Sequence, residues 1–125
     1  MKLTEVADEV YENVRAINHA TIGPSVLAAP TVYAVAGSLK AAGFGLEQAL
    51  GQLAAALLRS LDVLEVTEDD GADPAPRAQA AAGAMREAAQ HAAAMGHLLE
   101  RAQQSISRQA YRRPVVVDEL EDLEG

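Results

Sequence analysis

The side chains of this chain with catalytic or ligating potential are few and scattered. Its imidazoles are His19, His91 and His97, and two of them lie near a carboxylate at helical spacing: Glu87 and His91 are four apart, His97 and Glu100 three apart. Either pair puts an imidazole and a carboxylate on one helical face, where the two could in isolation share a metal ion. A carboxylate-bridged site between helices needs Glu-x-x-His on two helices and further inward acids, and the long segment upstream of residue 65 carries only Glu47 within its body. Both pairs are therefore expected to act as surface ion-pair or hydrogen-bond partners, and no metal or other cofactor is expected. Covalent catalysis has no candidate, because the chain contains no cysteine and Ser25, Ser38, Ser60, Ser105 and Ser107 lack the context of a nucleophile elbow. Asp69-Asp70-Gly71-Ala72-Asp73 has the acids of a calcium loop without its alternate-acid register or its distal Glu. Asp73 is expected instead to cap the helix beginning near Pro74. No enzyme is expected.

The elements that carry these residues follow from hydrophobic periodicity. Val32, Leu39, Leu46 and Leu53 recur every seven residues, with Leu50, Leu57 and Leu64 as a second row. Downstream, Ala78, Ala81, Met85, Ala88, Ala92, Met95, Leu99, Ala102 and Ile106 alternate steps of three and four, the pattern of a heptad seam in a coiled coil. Between the two segments, Asp69 to Pro76 holds turn formers and nothing apolar larger than alanine. The expectation is an all-α fold: a long antiparallel helical hairpin, with a short N-terminal helix packed on it, as a three-helix or dimeric bundle.

Composition agrees. At 125 residues and 50% apolar content there is material for one domain, but one Phe, three Tyr and no Trp leave the core to Leu, Val and Ala. The aromatic and β-branched alternation of a sandwich is missing. A net charge of −8 opposes binding to a polyphosphate backbone, so no nucleic-acid partner is expected.

In chain order, a single helical domain is expected over residues 1–111. Its first helix covers residues 4–19, with Leu3, Val6, Val10, Val14 and Ile17 on one stripe and Thr4 as N-cap. Ala20 to Ala29 reads as a connector with one helical turn in Val26-Leu27-Ala28-Ala29, and Pro30 suits the first turn of the next helix. The second helix covers 31–64, with a kink or break expected at Gly43-Phe44-Gly45, either a hinge or a packing notch. The third covers 76–111. Residues 112–125 form an acidic tail, read as disordered.

The N-terminus is charged where a signal peptide would be apolar, which points to the cytoplasm. Ala16 to Leu39 carries no charge and is long enough for a bilayer, but His19, Gly23-Pro24-Ser25 and Pro30 interrupt it, so no membrane partner is expected.

Two resemblances bear on function. Ala29-Pro30-Thr31-Val32-Tyr33, Asp69-Asp70-Gly71-Ala72-Asp73-Pro74 and Ala102-Gln103-Gln104 are similar to segments of small helical proteins of actinomycetes, some of them associated with mobile elements. That likeness spans about residues 28–108 and implies no activity. By size, acidity and hairpin shape the chain also resembles the WXG100 (ESX-type) proteins, which implies, as an alternative, a helical hairpin that is exported without a signal peptide or is membrane-active. The turn here has no Trp-x-Gly, and in Tyr111-Arg112-Arg113-Pro114-Val115 a valine stands where that family's Tyr-x-x-x-Asp/Glu signal has its acid.

The function expected from the residues is that of a non-enzymatic protein–protein interaction module working through helix faces or the acidic tail. Ala54, Leu58 and Leu61 are expected to extend the apolar face of the second helix beyond the seam and to pair two copies as a homodimer. In the tail, Val115, Val116, Val117, Leu120 and Leu123, set among acids, are read as a docking peptide for an unidentified protein partner.

Overall fold

Helix is the outcome of the periodicities just described, and a computed structural model shows how the helices meet; it describes residues 2–112. Three helices follow one another: α1 over Leu3–Thr21, α2 over Ala29–Val63 and α3 over Ala75–Ile106. The all-α hairpin is therefore present, with α2 and α3 packed along their length as its two arms. At 1.5 Å per residue each arm is ~50 Å long.

The helix ends report local chemistry. The α1 helix starts one residue before Thr4, on Lys2, whose backbone amide donates to Glu5 Oε2 at 3.3 Å, so Glu5 does the capping that Thr4 was expected to do. At the other end Thr21 Oγ1 donates back to the Ile17 carbonyl, and Gly23, at φ +79°, turns the chain out of the helix. No helical turn forms in the connector: a four-residue run behind Gly23-Pro24 is too short to nucleate one, and Val26 is 94% exposed. Pro30 takes the first turn of α2, where its missing N–H is not needed. The helix then runs through Gly43-Phe44-Gly45 without the expected break. The α3 helix ends at Ile106, short of the expected Tyr111; Ser105 Oγ and Ser107 Oγ turn back onto the carbonyls of Arg101 and Gln104. By then the antiparallel partner has run out, since α2 begins at Ala29.

The turn is clipped shut. Gly71 adopts φ +77° and its amide donates to the Glu68 carbonyl. Asp70 Oδ1 accepts from the Ala72 amide at 3.0 Å, and Asp73 Oδ1 accepts from the Ala75 amide at 3.1 Å, the capping contact expected of Asp73. Arg77 reaches back from α3 to Asp70 through both guanidinium nitrogens, at 2.8 and 3.3 Å, and to Glu68 at 3.2 Å. The acidic run thus has a cation of its own. Arg77, with help from the Ala72 amide, holds the Asp70 carboxyl below the usual carboxylate range. A depressed pKa contributes stability above the ordinary value of about 3.9 and loses it as pH falls through the lowered one. The clip is exposed to solvent, so the effect is local. An NMR titration should find Asp70 protonating below the ordinary carboxylate range, and Arg77→Ala should move it back toward that range.

The core is built from the smallest side chains. Buried positions on α3 are Ala82, Ala89, Gly96 and Gln103, every seven residues, with Ala78, Met85, Ala92, Leu99 and Ile106 half-buried or nearly so between them. Half of the expected α3 seam is therefore correct, and the other half is displaced by one residue. Ala81, Ala88, Met95 and Ala102 lie exposed beside the seam, and their neighbours Ala82, Ala89, Gly96 and Gln103 occupy it. On α2 the buried positions are Ala36, Gly43 and Ala54, with Leu50, Leu57 and Leu61 half-buried on the same face. The expected first row takes another direction: Val32 and Leu53 are exposed, and Leu39 and Leu46 only half-buried.

The reason is close approach. A Cβ added at Gly43 would lie 2.9 Å from the Ala92 carbonyl oxygen and 3.2 Å from the Gly96 amide nitrogen, so the two backbones touch there. At this crossing the arms leave no room for a leucine between them, and Leu50, Leu57 and Leu61 pack further along the same face. One polar group enters the seam: Gln103 Nε2 donates at 2.9 Å to the Tyr33 carbonyl, in the space left by the absent side chain of Gly37. That bond satisfies a buried amide and ties the start of α2 to the end of α3.

Candidate interaction surface

The two sides of the hairpin differ. On one side Phe44 lies across Gly96 and meets His97 edge-on, with ring centroids 5.0 Å apart, and Tyr33, Lys40, Glu100, Gln104 and Ser107 line a small polar crevice. At roughly 100° per residue the rows Val32, Val35, Leu39, Ala42, Leu46, Ala49, Leu53, Ala56 on α2 and Ala81, Ala88, Met95 on α3 fall on the opposite side. That side carries no charged residue on either row. The hairpin is thus amphipathic as a unit, with one polar and one apolar side.

Helix α1 lies over the apolar side without closing on it. No Cα of α1 comes within 8 Å of a Cα of α2 or α3, whereas packed helices have axes only about 8–10 Å apart and nearer backbones. Its stripe is correspondingly open, with Val6 43% and Val10 51% exposed and no residue of the helix buried. Between α1 and α2 is a cleft of about 610 Å³. Leu3, Val6, Ala7 and Val10 form one wall; Leu46, Ala49, Leu50, Leu53 and Ala56 form the other, and Gln52 and Arg59 are its polar groups. Both walls are apolar at steps of three and four, so the cleft has the shape and chemistry of a groove for a helix. The acids of α1 point elsewhere: Glu12 pairs with Arg15 at 2.9 Å, and that guanidinium lies 5.9 Å from the Tyr11 ring centroid.

The residues expected to make contacts stand differently. Ala54 is fully buried and belongs to the α2–α3 seam, with Leu61 seven residues further on the same face and Leu58 flanking it, both half-buried. Ala54 therefore does not extend the apolar face outward, because α3 already covers it. Val115, Val116, Val117, Leu120 and Leu123 lie outside the described residues. Of the two His/carboxylate pairs, Glu87 and His91 are both exposed, and His97 meets Phe44 edge-on. Among the described residues no three His, Asp or Glu side chains come together as a metal site would require. The uncharged stretch Ala16 to Leu39 is split between two helices by the connector, and among the described residues no helix is long and apolar enough to cross a membrane.

Comparison with known proteins adds no relative. No protein-family model matches the chain, and no curated protein or solved structure was found to match it.

Proposed function

We propose that this protein is a non-enzymatic helical module whose α1–α2 cleft receives the apolar face of another helix. The observation that supports the reading is the cleft itself: two walls with helical spacing, apolar throughout except at Gln52 and Arg59, standing open at a width α1 does not fill. Exposed apolar side chains on both walls, Leu3, Val6 and Val10 facing Leu53, support an interaction site there. The residue types agree, since leucine and valine anchors with alanines between them are what a helix-in-groove contact uses.

A photo-crosslinking amino acid placed at Leu53, on the cleft wall, tests the reading in cells of the native host. The expected result is an adduct with a polypeptide at Leu53 and none with the same probe at the exposed Glu87 of α3. No adduct at Leu53, or equal labelling at both positions, would remove the cleft as a docking site.

A further inference from the structure

We infer that the helix received in the cleft is α3 of a second copy of this chain, bound through the same apolar side on both partners. The inference rests on the reading of the cleft as a docking site and names its occupant. Three features of the surface point to a second copy.

The first is self-complementarity. The apolar side places a row of leucines, Leu39, Leu46 and Leu53, next to a row holding Ala81, Ala88 and Met95. A two-fold axis parallel to the helices, lying between two such faces, sets the leucine row of each copy on the α3 row of the other and makes those helices antiparallel. Leu53 then sits between Ala81 and Ala88, large against small as in an interface without voids, while Leu39 and Leu46 flank the adaptable side chain of Met95; the pairing is the geometry of an isologous dimer. In this arrangement α3 of the partner runs beside α1, and the stripe of Val6 and Val10 closes on it.

The second is charge. A chain at −8 should repel its copy. On the apolar side, however, the facing rows are uncharged and the charged group that lines the cleft is the cation Arg59, so the contact sets no acid against an acid.

The third is area. The α2 row from Val32 to Ala56 is ~36 Å long, and a face ~20 Å wide offers on the order of 700 Å² per copy, close to the roughly 800 Å² of a standard stable interface.

The test is the mass of the purified full chain by light scattering at micromolar concentration. The expected mass is twice 13.1 kDa. Leu53→Glu on the cleft wall and, separately, Val10→Glu on α1 should each return it to the monomer value with helicity by circular dichroism unchanged, because both positions are exposed and neither supports the seam. The parallel axis also brings the two acidic turns to the same end. Raising salt from about 0.1 to about 1 M, which shortens the screening length from about 10 to about 3 Å, should therefore tighten the dimer. A wild-type monomer, a dimer that survives both substitutions, or a dimer weakened by salt would overturn the inference. A monomer whose Leu53 probe still captures a different protein in cells removes the second copy and leaves the docking reading standing; a monomer with no adduct removes both.

Discussion

Gly43→Ala is expected to destabilise the fold by about 1–2 kcal/mol, and Gly45→Ala, two residues on, to stabilise it by about 0.5–1 kcal/mol. Both exchanges favour helix by the same amount, so the difference between them isolates packing. At Gly43 the new methyl would lie 2.9 Å from the Ala92 carbonyl oxygen, a backbone atom that cannot rotate away, and the arms would have to separate. Overpacking of that kind costs about 1–3 kcal/mol, enough to overcome the gain in helix propensity. At Gly45 nothing lies within 4 Å and the propensity gain stands alone. Urea unfolding at one fixed protein concentration measures both. If Gly43→Ala proves as stabilising as Gly45→Ala, the backbones do not touch at that point.

The second large effect is expected at Ala54→Leu. Ala54 is 0% exposed, as is Ala82 on the other arm. Gly43 lies against Ala92 and Gly96, and the arms run in opposite directions, so eleven residues further along α2 the facing stretch of α3 is that around Ala82. Two fully enclosed methyl groups thus face each other, and three further carbons cannot enter without parting the helices. A loss of about 3 kcal/mol is expected, at the upper end of what overpacking costs. The same exchange at Ala49, exposed on the cleft wall, should be close to neutral. Unfolding midpoints of the two variants give the contrast, and equal midpoints would mean that Ala54 is not in the seam.

The long arms and the turn were legible because their signals are local. Periods of three and four over thirty residues, Pro30 in a first turn and Asp73 before Pro74 each have a physical meaning that does not depend on the rest of the chain. The faces were less legible. Apolarity ranks Met95 above Gly96 and Ala102 above Gln103, yet Gly96 and Gln103 are the buried residues, because closeness of approach and not hydrophobicity chose them. The same preference for size assigned the seam on α2 to Val32, Leu39, Leu46 and Leu53, which line the open side instead. A signal was present: Gly43 and Gly96 with alanines at seven-residue steps form small-residue rows that mark a tight crossing. The cleft could not be read in advance, since it depends on α1 standing away from α2, a distance that no stripe of valines encodes. The calls for close packing and for room are written in the same alphabet of small side chains, and only the partner helix distinguishes them.

A seam of glycine and alanine changes what mutation can do to this protein over time. In an ordinary core most single substitutions make a side chain smaller and leave a void, and a void can be tolerated, enlarged or refilled from a neighbouring position. Ala54, Ala82 and Ala89 have only glycine below them, and Gly43 and Gly96 have nothing. Random change at these sites is thus almost wholly toward bulk, and at Gly43 a single step meets the backbone of the other arm, where no neighbour can shrink to make room. Drift along the seam should be slow, while the leucines and valines of the open side, with free volume in front of them, can change and let the surface acquire new partners without disturbing the hairpin that carries it.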